Sequence, residues 1–200
     1  MKKNLLVLAF LVGLLTCCKS EDAPIKPVKP TDPGSINKEY MSRAETTFAN
    51  IFKYYWSDKV RMMFGSYPNT LGTPQEPSSP DYDSHAFLWG LGSVVSAFNA
   101  IVQNTDNVDF RMTYESRLKE TLLKYYNTTK EPMCFGCFVN PHDQRLYDDA
   151  IWVGIDLADL YSKTKDSWYL DYAKSVWNFV LSGKDDELGG GVYWDENAKD

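Results

Sequence analysis

Two observations predict an all-α chain of the α/α-toroid type. Charged and nearly uncharged helical segments take turns along the sequence, and one of the uncharged segments carries a stripe of acids between two apolar flanks. An α/α toroid requires that alternation: inner helices are covered by an outer ring on one side and face a central cleft on the other. A plain bundle would repeat one amphipathic pattern in every helix.

The elements follow in order. Residues 1–18, MKKNLLVLAFLVGLLTCC, place Lys2 and Lys3 before an apolar run that ends in cysteine. This reads as a secretory signal, because Leu5 to Leu15 is too short to span a bilayer. The ending Leu15-Thr16-Cys17-Cys18 resembles a bacterial lipobox, with Cys18 as the lipidated residue and Cys17 as the alternative. The acids of the following KSED resemble a surface-export signal of Gram-negative lipoproteins. The expected location is therefore the outer membrane, held through a lipid anchor and exposed at the cell surface. Residues 19–36 are rich in proline and charge and read as an extended tether. Residues 37–200 are one domain's worth of chain. Removing Met1 to Cys17 takes away Lys2 and Lys3, so the formal charge of −6 becomes −8. Such an acidic exported chain is unsuited to nucleic acid, whose binding relies on Lys and Arg at phosphates.

Helix one is predicted from about Lys38 to Trp56, with charges kept off a single apolar stripe. Helix two, about Ser84 to Asn104, contains no Asp, Glu, Lys or Arg and is expected to be buried nearly all round. Its Ser and Asn residues favour a buried helix over a membrane span. Helix three, about Val108 to Tyr126, returns to one stripe through Phe110, Tyr114, Leu118 and Leu122. Helix four runs from about Leu146 to Ser162, and helix five, about Ser167 to Leu181, is again amphipathic through Trp168, Tyr172, Val176 and Phe179. The order is outer, inner, outer, inner, outer.

Helix four carries the chemistry. At about 100° per residue, Asp148, Trp152, Asp156 and Asp159 fall in one quadrant, with Asp149 beside them. Ile151, Ile155 and Ala158 form one flank and Val153, Leu157 and Leu160 the other, and no Lys or Arg within the helix can pair with the acids. Unpaired buried carboxylates cost several kcal/mol or take up a proton, so the stripe is expected to face a hydrated cavity. Carboxylates supply acid, base and nucleophile, while an aromatic face stacks on the apolar side of a pyranose. The combination points to a carbohydrate-cleaving site. The plain alternative is a solvated helix face whose first acids are stabilised by the helix macrodipole.

Beyond helix five, Gly189, Gly190 and Gly191 lack the GKS or GKT and the preceding strand of a phosphate loop. They read as a flexible turn presenting Tyr193 and Trp194 near the cleft, or as a surface hairpin. Cys134 and Cys137 could be a redox pair, half a zinc site with His142, or structural loop cysteines joined by a local disulfide. The structural reading is preferred. A zinc site needs a complete ligand set and the other histidine is His85, so no metal or cofactor is expected.

The segments FLWGLGSVVSAFNAI, LYDDAIWVGIDLADLY, WYLDYAKSVWNFV and GGGVYWD together resemble glycoside hydrolase family 76, the endo-acting α-1,6-mannanases of (α/α)6 architecture. The resemblance implies a retaining mechanism with Asp148 as nucleophile and Asp149 as acid/base, acting on mannan or a related polysaccharide. Trp89, Trp152, Asp156, Tyr193 and Trp194 are expected to bind the substrate. Ala150 and Ile151 follow the acid pair where Asn-Ala is common in the family, which puts the subgroup in doubt. The toroid takes six helical hairpins, so about five helices correspond to its N-terminal portion. A lipid-anchored glycan-binding protein that does not cleave its ligand is the alternative.

Overall fold

The computed structural model describes residues 38–68, 85–139 and 144–198, so the leader, Cys17, Cys18, the tether and His142 lie outside the described residues. Five helices carry the fold: α1 (Lys38–Tyr55), α2 (Leu88–Asn104), α3 (Val108–Tyr125), α4 (Tyr147–Thr164) and α5 (Ser167–Ser182). Four begin within one residue of the sequence expectation. The exception is α2, which starts at Leu88 and not at Ser84. The backbone ahead of it is already committed: His85 bridges Phe64, the Ala86 amide donates to Met63 O, and the Leu88 amide donates to Cys137 O.

Short antiparallel ladders that the sequence reading did not anticipate close the connections. Strand β1 (Trp56–Ser57) pairs with β2 (Met62–Met63), β3 (Tyr126–Asn127) with β4 (Cys134–Phe135), and β5 (Lys184–Asp185) with β6 (Gly191–Val192). Two residues are too few to show a period of two.

The helices start and stop where their side chains dictate. Asn107 caps α3 by accepting from the Phe110 amide, and Asp166 caps α5 by accepting from the Trp168 amide. Between α4 and α5 the chain turns through Lys165 in the left-handed region, with φ 59°. The core joins Phe48 and Phe52 of α1 to Phe98 of α2 and Phe110 of α3, with Phe48 at 5.4 Å from Phe110 and 6.0 Å from Phe98. Each such ring, fully buried, contributes about 2–3 kcal/mol.

The inner pair, α2 and α4, pack side by side, and α5 covers α4. Gly154 permits that cover, since a Cβ there would stand 2.6 Å from Val176 Cγ1. Two sequence expectations need correction. Helix α2 is not buried all round, because Trp89, Gly90, Ser93 and Ala100 form an exposed stripe. On α4, Ile155 and Ala158 are also exposed. Both stripes lie away from the core residues Leu91, Val95, Phe98, Val153, Leu157 and Leu160. An inner toroid helix has two different sides, one against the outer layer and one toward the cleft. Among the described residues, no helix is long and apolar enough to cross a membrane.

Candidate active site

The site is built on the first turn of α4. Its starting point is held from three directions. The Tyr147 amide donates to Trp194 O at 2.9 Å, and the Tyr147 ring stacks on Phe179 with 4.4 Å between centroids. The same ring lies over Gly183, where an added Cβ would come within 2.3 Å of it. Arg145, with no exposed side-chain surface, makes a two-pronged ion pair with Glu196 through Nε and Nη2 at 2.7 and 2.6 Å. That pair ties the residue two positions before α4 to the turn that follows the β5–β6 hairpin, and so helps to fix where Trp194 stands.

Asp148 and Asp149 follow in different surroundings. Asp148 is partly exposed and accepts from Trp194 Nε1 at 3.2 Å and from the Asp149 amide at 3.0 Å. Asp149 is buried, with 8% of its surface exposed. Burial pushes its carboxyl above the ordinary aspartate range; a hydrogen bond with the Cys137 thiol opposes that rise, and the charge of Asp148 adds to it. Two identical side chains in sequence thus stand in different surroundings, one buried and one partly exposed.

Asp149 opens into a depression of about 300 Å³ lined also by Trp89, Gly92, Ser93, Ser96 and Trp152. The two indoles are 55% and 52% exposed. An aromatic face left that open in an apolar depression beside carboxyl groups is suited to the C–H face of a sugar ring.

Among the residues singled out from the sequence, Asp149, Trp89 and Trp152 meet in this depression, and Asp148 with Trp194 forms its neighbour through the indole hydrogen bond. Asp156 does not line it. The residue is 6% exposed in the seam between α2 and α4, where Ser96 and Asn99 take its two oxygens. Tyr193 packs against the core. The glycine turn forms part of the β5–β6 hairpin, and Gly189 and Gly190 have φ of +93° and +92° there. Ser96 was missed by the sequence reading. Its signal was the polar Ser96 and Asn99 on an uncharged helix, three residues apart and so on one face.

Cys134 and Cys137 are free thiols, both buried, and burial pushes each up to about 12. Burial of both thiols favours the structural reading of the pair. Cys137 instead links the starts of the inner helices: its carbonyl accepts from the Leu88 amide and its thiol meets Asp149.

The comparisons with known proteins fit this arrangement. No curated protein matches the chain. Among solved structures it resembles a family 76 glycoside hydrolase (mannosidase) from Bacteroides thetaiotaomicron VPI-5482, at 24% identity and a TM-score of 0.64 over 79% of this chain and 42% of that one. It also resembles a family 76 glycoside hydrolase from a bovine Bacteroides thetaiotaomicron strain, at 27% identity and a TM-score of 0.65 over 78% of this chain and 33% of that one. A third, a family 76 α-mannanase from Bacteroides thetaiotaomicron, gives 19% identity and 0.60 over 82% and 42%. The chain therefore spans less than half the length of these relatives, and its five described helices correspond to part of an (α/α)6 toroid. The family model for glycosyl hydrolase family 76 matches residues 39–200, and the chain belongs to that family.

Proposed function

We propose that this chain carries the catalytic pair of a retaining glycoside hydrolase that cleaves α-1,6-mannosidic linkages in mannan. The observation that carries the reading is the contrast within one helical turn: Asp149 is buried with its carboxyl raised, while Asp148 is partly exposed and faces N–H donors. In the first step Asp148 attacks the anomeric carbon, and Asp149 gives its proton to the leaving glycosidic oxygen. In the second, Asp149 takes a proton from water, whose oxygen displaces Asp148 from the anomeric carbon and returns the pair to its starting state. Trp89 and Trp152 hold the ring by stacking, and the Trp194 indole orients Asp148.

The reading concerns a polypeptide of the relatives' full length. Positioning supplies much of an enzyme's rate, so the 200-residue chain is expected to turn over little substrate by itself. Incubation of the extended enzyme with a 2-deoxy-2-fluoro mannosyl fluoride tests the nucleophile. Mass spectrometry should find the sugar on the peptide containing Asp148; attachment to any other residue sinks the assignment. Lipidation at Cys18 and attachment to the outer membrane belong to the same proposal, supported by the lipobox-like LTCC and the acids after it. A mature N-terminus starting beyond Cys18 and bearing no lipid would remove that part.

A further inference from the structure

Ser96 stands in the depression, on the α2 face opposite Asp156. Its hydroxyl has one proton and two lone pairs. The proton is spent on Asp156 Oδ2, to which Ser96 Oγ donates. A chain of side chains fixes the donor on the other oxygen of Asp156. Gln103 Nε2 donates to Asn99 Oδ1 at 3.1 Å and to the Asp159 carbonyl at 2.9 Å. With its oxygen occupied by a donor, the Asn99 amide must turn its nitrogen outward, and Nδ2 donates to Asp156 Oδ1 at 2.9 Å and to Asp159 Oδ2 at 3.4 Å. Asp156 and Asn99 are each 6% exposed. Burial and the charge of Asp159 raise the Asp156 carboxyl against the hydrogen bonds of Ser96 and Asn99; in its ionised form, with donors on both oxygens, it leaves Ser96 with lone pairs only for the depression.

We propose that Ser96 is a specificity-determining residue, an obligate acceptor that selects a sugar hydroxyl able to donate to it, with Asp156 acting through Ser96 as a positioning residue. The inference rests on the sugar-binding reading of the depression given above. A donor hydroxyl of the sugar meets an oxygen made more basic by a charged partner, which strengthens the bond beyond that of a free serine. Replacing that sugar hydroxyl by hydrogen or a methoxy group leaves Ser96 unmatched and costs affinity; a neighbouring hydroxyl pointing elsewhere is indifferent.

The test uses the enzyme at its relatives' full length in an Asp148→Asn background, which stops turnover. Binding of α-1,6-mannobiose and of each of its monodeoxy analogues is followed by tryptophan fluorescence, with Trp89 and Trp152 as reporters, and by NMR titration. The expected result is that one deoxy analogue binds roughly 3- to 10-fold more weakly than the parent disaccharide, as the loss of a hydrogen bond to a neutral hydroxyl implies. In Ser96→Ala, parent and analogue should bind alike. In Asp156→Asn, whose amide can donate to Ser96 and free the hydroxyl proton, the same discrimination should collapse although the serine remains. A purely structural role for Ser96 would weaken all the analogues equally. If the disaccharide binds and Ser96→Ala keeps the full discrimination, this proposal is overturned while the sugar-site reading stands. If no mannoside binds to that full-length enzyme at all, both fall.

Discussion

Replacing Glu196 by alanine should destabilise this chain more than any surface change, although Glu196 lies in a turn beyond the last strand, between the bridged Asp195 and Ala198. The magnitude follows from its partner. Arg145 has no exposed side-chain surface and Glu196 has 8%, so the ion pair is dry on the arginine side. Truncation removes both charge-assisted bonds, at 2.7 and 2.6 Å, and leaves a guanidinium in the interior. Breaking a buried pair from one side costs about 3–5 kcal/mol. Arg145 keeps the carbonyls of Lys130 and Pro132 at 3.1 and 2.6 Å and the Phe179 ring at 4.7 Å, which argues for the lower end. The Lys130–Glu196 contact at 3.2 Å, on a partly exposed lysine, adds less than about 1 kcal/mol. The expected loss is therefore about 3 kcal/mol, which for a domain of this size is a fall in Tm of about 6–12 °C. Urea denaturation followed by circular dichroism measures it. An Arg145→Met, Glu196→Leu double variant should recover much of the loss, because no charge is then left buried. A Glu196→Ala variant within about 0.5 kcal/mol of the parent, or a double variant no better than the single, would refute the reasoning.

Three further outcomes follow from the same geometry. Because burial raises the Asp149 carboxyl, folding favours its protonated form; that contribution is full below the unfolded aspartate value of about 3.9 and is lost as pH rises through the folded one. Asp149→Asn should therefore raise Tm at neutral pH and give no gain in acid, and a variant that melts lower at pH 7 would contradict this. Gly183→Ala drives a Cβ into the Tyr147 ring, which is stacked on Phe179, so it should cost about 1–3 kcal/mol in thermal unfolding and displace the start of α4. Trp89→Ala and Trp152→Ala remove half-exposed rings and should change stability by less than about 0.5 kcal/mol while weakening mannoside binding; a large loss of stability with affinity kept would mark them as core residues.

The helices were legible because their signals are long. The loss of charge in α2 and the acid stripe in α4 each extend over many residues, and alternation with amphipathic neighbours identified the inner pair. The depression was legible in part for the same reason, since Asp149 and Trp152 both come from the start of α4 and line it. What the sequence hid depends on contacts distant along the chain. Arg145 and Glu196 are 51 residues apart and each alone looks like a solvated charge. Asp156 looked like a ligand-facing acid because the wheel puts it in one quadrant with Asp148, but that side of α4 turns under α2 by the third turn, where Ser96 and Asn99 wait for it. The start of α2 was misplaced by four residues because the ladder partners of His85 and Ala86 come from Phe64 and Met63.

The central claim is that Asp148 and Asp149 work as a retaining pair, and the stereochemistry of the first product tests it most directly. The enzyme at its relatives' full length should be mixed with an α-1,6-linked mannan oligosaccharide in an NMR tube and the anomeric protons followed from the first minutes. Retention releases the α-anomer first, with the β-anomer growing in only as mutarotation proceeds. Initial release of the β-anomer would mean direct displacement by water, and Asp148 could not then be the nucleophile.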